Sequence, residues 1–334
     1  MSKKVLISGY YGFDNFGDEA VLTVLTKFLK DLGLSEITVF SSNPSKTAEN
    51  CGVKSAYTFD YPNVVKTVWK NDVLISGGGS LLQDVTSVKS VLYYLFVIFT
   101  ALIFRKDVVV FAQGIGPLNN PFARFLTFFA LKKCKLVSVR DFKSLEALKS
   151  QGISAEKVVD PVWNLSFDGT KIPGSVGVQL RKFKNLPADF LHVLAISVAE
   201  NYKHKTIKIF QLQNSEDEEI CENFRELLSK NGVNAEIVPY RDVNSAANDL
   251  ASVETLIAMR FHACLVGVNA NVKVLPIVYD KKVKKLADEC GLKFRIYPNS
   301  KNIRSTVSDF VKSDFSGEKQ VFDFSPYEEF FNSK

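Results

Sequence analysis

Arg260-Phe-His262 places a guanidinium and an imidazole two residues apart at the end of the apolar run Thr255 to Met259. That run is too short for a helix and fits a buried parallel strand. Ala263 onward is small and apolar, as suits a helix packed closely on a sheet. Ligands of open α/β sheets bind beyond the carboxyl ends of strands, so these two side chains are candidates for chemistry. A fork of donors suits a carboxylate or phosphate, and an imidazole can hold or give a proton near neutrality. The same residues also suit a surface ion pair and a bonded core histidine, so the rest of the chain must decide. The other histidines do not compete: His192 sits in a helical pattern and His204 in a lysine-flanked loop.

Glycine loops recur at other strand ends. Ser8-Gly-Tyr-Tyr-Gly-Phe-Asp-Asn-Phe-Gly-Asp-Glu-Ala20 follows the first strand and opens a helix near Gly17. Backbone N–H groups and a helix amino terminus can approach an anion or a sugar through such a loop. Its glycines are not spaced Gly-x-Gly-x-x-Gly and no Walker Lys-Ser/Thr follows, which excludes the usual nicotinamide and ATP signatures. Asp18 is either a helix-start charge or a carboxylate base. Asp72-Val-Leu-Ile-Ser-Gly-Gly-Gly-Ser-Leu-Leu-Gln-Asp84 has three successive glycines, which predicts close approach of a ligand or another backbone. Ser80 and Gln83 add neutral hydrogen-bonding groups. Gln113-Gly-Ile-Gly-Pro117 ends a third strand in the same way, and Arg140-Asp141 ends a fourth with a cation. Gln179, Arg181, Gln211, Gln213 and Lys282 also fall at or just past strand ends. Cations facing glycine loops read as a site for a small polyanion.

The elements that must position these residues alternate strand and helix almost throughout, which predicts an α/β class with parallel sheets. Strands are expected near Val5 to Ser8, Ile37 to Ser41, Ala56 to Phe59, Val73 to Ser76, Val108 to Ala112 and Leu136 to Val139. A second set falls near Val176 to Leu180, Ile207 to Leu212, Ala235 to Pro239, Thr255 to Met259, Val274 to Tyr279 and Phe294 to Tyr297. These describe two Rossmann-like domains, residues 1–165 and 175–315, with a tail at 316–334 free to pack back on the first. The seam lies in Asp160 to Gly174, where periodicity lapses and Pro and Gly gather.

The chain's 334 residues suit two domains, and 46% hydrophobic residues are enough for two cores. Lys plus Arg exceed Asp plus Glu by 42 to 36, so a net charge of +6 favours small anionic substrates or an anionic membrane face over nucleic acid. Five scattered cysteines with no Cys-x-x-Cys pair exclude the common zinc and disulfide frameworks and fit a reduced, cytoplasmic setting. The amino terminus enters a strand at once, without a signal peptide's apolar core. Val91 to Phe104 is uncharged and mostly apolar but short of the roughly 20 residues a spanning helix needs, and reads as a buried helix. With Phe122 to Leu131 also aromatic and Arg124, Lys132 and Lys133 nearby, peripheral contact at the inner face of the cell membrane stays open.

Taken in order, Ser8 to Leu22, Ile75 to Asp84, Ala112 to Leu118, Ser138 to Asp141, Asp160 to Trp163, Met259 to His262 and Tyr279 to Val283 resemble the polysaccharide pyruvyltransferase family, and within it the bacterial cell-wall (CsaB) type. The resemblance implies a GT-B-like fold, with two Rossmann-like domains facing across a cleft. It also implies transfer of the enolpyruvyl group of phosphoenolpyruvate, a substrate, to a sugar as a ketal, with no cofactor and no metal. For the cell-wall type it implies a lipid-linked glycan acceptor, β-N-acetylmannosamine pyruvylated across its 4- and 6-hydroxyls, and a ketal that anchors S-layer proteins. Asp18, Arg140, Arg260, His262 and Lys282 match positions the family associates with catalysis or donor binding. Arg140, Arg260, His262 and Lys282 would hold the donor. Asp18, His262 and Arg260 would be catalytic, with Asp18 and His262 exchangeable as acid and base. Phe13, Phe16, Gly77, Gly78, Gly79 and Ser80 would face the acceptor. Phe261 stands where relatives commonly have Leu, and Asp280-Lys-Lys282 where they have Asp-Pro-Lys, so Lys281 competes with Lys282. A GT-B glycosyltransferase using a nucleotide sugar is the rival enzyme, and a membrane-surface scaffold without turnover the rival from another class.

Overall fold

The computed structural model describes residues 3–85, 87–314 and 317–333. The chain divides into two compact units, one running up to Leu165 and resuming at Val321, the other Ser166–Gln320. The tail ends expected at Ser316 and Lys334 lie outside the described residues.

The first unit alternates β1 (Val5–Ser8), α1 (Phe16–Asp31), β2 (Ile37–Ser41), α2 (Pro44–Cys51), β3 (Lys54–Tyr57), α3 (Tyr61–Lys70), β4 (Val73–Ser76), α4 (Val88–Ile103), β5 (Asp107–Gln113), α5 (Pro121–Leu131), β6 (Leu136–Val139), α6 (Phe142–Lys149) and β7 (Glu156–Lys157). All its strand pairings are parallel, in the order β3-β2-β1-β4-β5-β6-β7. The order reverses between β1 and β4, whose last residues Ser8 and Ser76 are in register. The loops after these strands therefore leave side by side and turn in opposite directions, which opens a crevice at the switch point. β1 and β4 are buried along their whole length, as strands covered by helices on both faces must be. Short polar residues start the helices: Asn15 accepts from Gly17 N at 3.1 Å ahead of α1, and Asp141 accepts from Ser144 N at 2.8 Å ahead of α6.

The second unit runs β8 (Ser175–Gln179), α7 (Phe190–Tyr202), β9 (Thr206–Phe210), α8 (Asn214–Lys230), β10 (Ala235–Val238), α9 (Val243–Ser252), β11 (Thr255–Ala258), α10 (Phe261–Asn269), β12 (Lys273–Pro276), α11 (Lys281–Glu289) and α12 (Ile303–Val311). Its parallel order, β10-β9-β8-β11-β12, reverses between β8 and β11, where Gln179 is in register with Ala258. A core that includes Val178, Phe190, Ile209, Phe224, Ile257 and Leu275 fills this unit.

The tail joins the first unit. Its helix α13 (Ser325–Asn332) presents Tyr327 to Phe111, with ring centroids 4.8 Å apart, and the Tyr327 and Ser138 hydroxyls share a hydrogen bond. Phe324 stacks on Phe28 of α1 at 4.1 Å, and Asn164 exchanges two hydrogen bonds of 3.0 Å with the Phe322 backbone.

Three expectations need correction. β3 begins two residues before the expected Ala56. Phe294 to Tyr297 forms no strand; Ile296 makes a single bridge to Ile277. The helix expected to be buried, α4, covers the sheet with one side only and leaves Ile103 75% exposed. Among the described residues, no helix is long and apolar enough to cross a membrane, and the five cysteines are free.

Candidate active site

In the first unit the chemistry-bearing residues collect at the switch point. The loop after β4 passes so close to α1 and to the loop after β1 that its glycines are steric requirements. A Cβ on Gly77 would lie 2.0 Å from Tyr11 Oη, and one on Gly78 2.6 Å from Val21 Cγ1. At Gly79, with φ of +90°, a Cβ would lie 2.8 Å from Asp18 Oδ1. Thus the triple glycine expected to admit a ligand or a backbone is occupied from below by the side chains of Tyr11, Val21 and Asp18. Asp18, in the first turn of α1, points its carboxylate at the last of these glycines.

Gln113 fixes the same loop. It is fully buried, and its Nε2 lies 2.7 Å from Gly77 O, 2.8 Å from Ser76 Oγ and 3.0 Å from Ser76 O. A register shift between Val110 and Gln113, with Ala112 at φ +47°, turns that side chain toward β4. Bulges beside active sites commonly re-aim one side chain in this way.

Arg140 leaves the end of β6 and donates from Nη1 to Asp160 Oδ2 at 2.7 Å and from Nη2 to Ser80 Oγ at 3.2 Å. The Asp160 carboxylate is buried, and its Oδ1 accepts from Val162 N at 3.1 Å. The guanidinium plane is thus held between a fixed carboxylate and the glycine loop. Glu19, one residue after Asp18, accepts from Gly12 N at 2.7 Å. Burial, and the nearby Asp18 and Asp14 charges, push its carboxyl up to about 7 against the hydrogen bond from Gly12 and the charge of Lys46.

The second unit repeats the arrangement between β8 and β11. Arg260 is the residue before α10, and its backbone N donates to Gln179 Oε1 at 2.7 Å across the switch point. Its side chain donates to the fully buried Asp217, from Nε to Oδ2 at 3.1 Å and from Nη2 to Oδ1 at 2.5 Å. Arg181, just past β8, lies with its guanidinium carbon 5.8 Å from the centroid of the Tyr279 ring and donates from Nη1 to Tyr279 Oη at 3.3 Å. His262 is in the first turn of α10 with its ring edge-on to Phe261, centroids 5.0 Å apart. The amino end of α10 adds the positive end of a helix dipole to the charges of Arg260 and Arg181. Lys281 and Lys282 are both exposed in the first turn of α11, which Asp280 caps through Val283 N at 2.9 Å.

The sequence pattern that defines polysaccharide pyruvyl transferases matches residues 15–281, most of the chain and every strand from β2 to β12. The chain belongs to the polysaccharide pyruvyl transferase family. This pyruvyltransferase is accordingly a transferase enzyme. No curated protein matches it in sequence. Among solved structures it is similar to the UDP-GlcNAc 2-epimerase from Methanocaldococcus jannaschii, with a TM-score of 0.67 and 11% identity over 96% of this chain and 95% of that one. It is also similar to S. aureus MnaA in a co-structure with UDP, with a TM-score of 0.63 and 13% identity over 93% and 88% of the two chains. Anabaena HepE in complex with UDP and glucose gives a TM-score of 0.60 and 10% identity over 93% and 89%. At such identities the likeness shows the fold alone, two parallel-sheet α/β domains of the GT-B class.

Within the pyruvyltransferase, the residues singled out from sequence fall into two groups. Asp18, Gly77, Gly78, Gly79, Ser80 and Arg140 share the switch point of the first unit, and Ser80 and Arg140 are hydrogen-bonded. Arg260, His262 and Lys282 belong to the second unit. Phe16 is 1% exposed and forms part of the core under α1, so its ring is not a sugar platform. Phe13 is half-buried and stacks on Tyr10 at 4.1 Å with an interplanar angle of 5°. Asp217 escaped the sequence reading because it lies in the acidic run Glu216-Asp-Glu-Glu219 at the start of α8, where carboxylates ordinarily serve the helix dipole. Its distinguishing feature is burial, which no local pattern displays.

Proposed function

We propose that the enzyme transfers the enolpyruvyl group of phosphoenolpyruvate to a sugar of a lipid-linked cell-wall polymer precursor, β-N-acetylmannosamine, forming a 4,6-linked pyruvate ketal and releasing phosphate. The observation that carries this reading is Arg260, oriented by buried Asp217 beside Arg181 and His262 at the amino end of α10. Two guanidinium groups beside an imidazole suit a compact donor bearing both carboxylate and phosphate.

In the proposed reaction, the methylene carbon of phosphoenolpyruvate gains a proton and becomes the ketal's methyl group. The two sugar oxygens form bonds to C2, and the C2–O bond to phosphate breaks. One hydroxyl proton balances the methyl group and the other leaves with phosphate. His262 and Asp18 share these transfers, with His262 as the acid toward carbon and Asp18 as the base toward the hydroxyl in the preferred assignment, and the reverse in the alternative. Arg260, Arg140 and Lys282 neutralise the donor's charge, while the groups near Ser80, with Phe13, face the sugar. Reaction on a precursor carrying its lipid places the enzyme at the cytoplasmic face of the membrane.

A nucleotide-sugar reaction is the second reading, favoured by the UDP in the solved structures named above. The test incubates the protein with an N-acetylmannosamine-terminated acceptor and either phosphoenolpyruvate or UDP-sugars, following free phosphate, UDP and acceptor mass. Phosphate release with a gain of one ketal-linked pyruvate is expected. UDP release with a gain of one sugar would overturn the proposal.

A further inference from the structure

The first unit carries an apolar surface that its own fold leaves uncovered. Phe122, Phe125 and Phe129 recur at i, i+3 and i+7 on α5 and are 63%, 65% and 48% exposed. Helix geometry puts such a series on one face. Phe129 lies 6.2 Å from Phe125 on one side and 6.2 Å from Phe99 of α4 on the other. On α4, Phe99, partly buried against the core, and Ile103, 75% exposed, stand one turn apart, so the stripe continues from α5 onto its neighbour. Contiguous exposed apolar surface of this kind marks a docking site, whereas scattered exposed rings need no explanation.

The charges around it point to the occupant. Residues 88–106, which span α4, and 119–135, which span α5, contain no acidic side chain. Their charges are Lys89, Arg105, Lys106, Arg124, Lys132, Lys133 and Lys135. Arg124 lies between Phe122 and Phe125 in sequence and is exposed with them, and the lysines crowd the carboxyl end of α5. Of the flanking carboxylates, Asp107 is half-buried at the start of β5, and Asp84 is tied to Asn120 N at 2.5 Å and Asn119 Nδ2 at 3.1 Å. Pairing with a second copy of this chain across a two-fold axis would bring one basic rim against another. An anionic lipid surface meets both demands, because aromatic rings enter the region below the headgroups while Lys and Arg remain among the phosphates.

We propose that the α4–α5 face docks this enzyme on an anionic lipid bilayer. The exposed surface and its charges support this docking independently of the acceptor assignment, although a lipid-linked acceptor would reside on such a bilayer.

The full chain is sedimented with vesicles of phosphatidylglycerol and phosphatidylcholine, and with vesicles of phosphatidylcholine alone, at low salt and near 1 M salt. The protein is expected to pellet with the anionic vesicles at low salt and to lose about tenfold or more in binding to neutral ones, or in salt that cuts the screening length to about 3 Å. Phe122→Ser with Phe125→Ser, and separately Lys132→Glu with Lys133→Glu, should each reduce binding about tenfold. All four residues are exposed, so thermal unfolding and turnover of a soluble acceptor should be unchanged. Failure of wild type to pellet, equal pelleting of wild type and variants, or a vesicle-free dimer dissolved by the phenylalanine substitutions would overturn the proposal. Absence of phosphate release from phosphoenolpyruvate, by contrast, would count against the proposed reaction and leave the sedimentation result standing.

Discussion

Asp217 grips Arg260 along one edge of its guanidinium, from Nη2 at 2.5 Å and Nε at 3.1 Å, while its Oδ2 also accepts from the backbone N of Leu212 at 3.0 Å and Gln213 at 3.2 Å. The carboxylate is fully buried and the arginine nearly so. Because Asp217 belongs to the first turn of α8 and also binds the loop that leaves β9, the plane of Arg260 is set before any ligand arrives. Preorganised donors of this kind avoid reorganisation during reaction.

Substituting Asp217→Asn should therefore weaken both fold and site. Removing one partner of a buried pair leaves an uncompensated charge and costs about 3–5 kcal/mol. Urea unfolding monitored by circular dichroism should show a loss of that order, with a higher KM for phosphoenolpyruvate in the surviving folded fraction. An unfolding curve superimposable on wild type would show that the pair does not hold Arg260 in place.

His262 and Arg260 can be separated kinetically. His262→Ala should lower kcat about a hundredfold or more, the typical contribution of a positioned acid or base, and leave the unfolding midpoint nearly unchanged because the side chain lies at a helix start. Near-normal turnover would remove His262 from the proton transfers. Arg260→Lys should instead raise KM strongly, since lysine cannot present a planar fork to Asp217 and a ligand together. Unchanged donor affinity in that variant would make Arg260 a structural residue.

The framework of both switch points was legible from residue pattern. β1, β4 and β11 are buried along their whole lengths and read as continuous apolar runs, and the polar residues beyond them mark their ends. Edge elements were less visible. β7 is only Glu156 and Lys157, paired with β6, and carries no apolar signature. Phe16 read as an aromatic beside a glycine loop, yet it begins α1 and shares its buried side with Ala20. What pattern could not supply was the partner of each cation, since Asp217 meets Arg260 from 43 positions away and Asp160 meets Arg140 from 20. Which carboxylate becomes buried is decided by packing between elements, not by its neighbours in sequence.

Gly77 tests the steric account of the glycine loop. Tyr11 is 1% exposed, and a methyl group on Gly77 would stand 2.0 Å from its hydroxyl but 3.1 Å from its ring carbon Cζ. Overpacking without room to move costs about 1–3 kcal/mol, so Gly77→Ala alone should lower the thermal midpoint. Tyr11→Phe removes the offending oxygen, which has no hydrogen-bond partner among the described residues, and should cost little by itself. Combined, the two substitutions should recover most of the loss. Additive damage in the double variant would mean that the loop's glycines answer to something other than Tyr11.

Glu19 gives the first unit a pH dependence whose sign is fixed. Its carboxyl is raised from 4.5 to about 7, chiefly by burial, so between those values the folded chain binds a proton that the unfolded chain has released. Stability from this group is complete below the unfolded value and is lost as pH rises toward 7, after which the curve flattens. The full rise corresponds to about 3 kcal/mol. Glu19→Gln keeps an oxygen to accept from Gly12 N but cannot ionise, so it should remove this fall and exceed wild type in stability at pH 8. Unfolding midpoints for the two proteins, measured every half unit from pH 4.5 to 8, should diverge steadily toward neutrality. Parallel curves would mean that Glu19 ionises in the folded state as easily as in water, and that the hydrogen bond from Gly12 with the charge of Lys46 fully offsets burial and the neighbouring carboxylates.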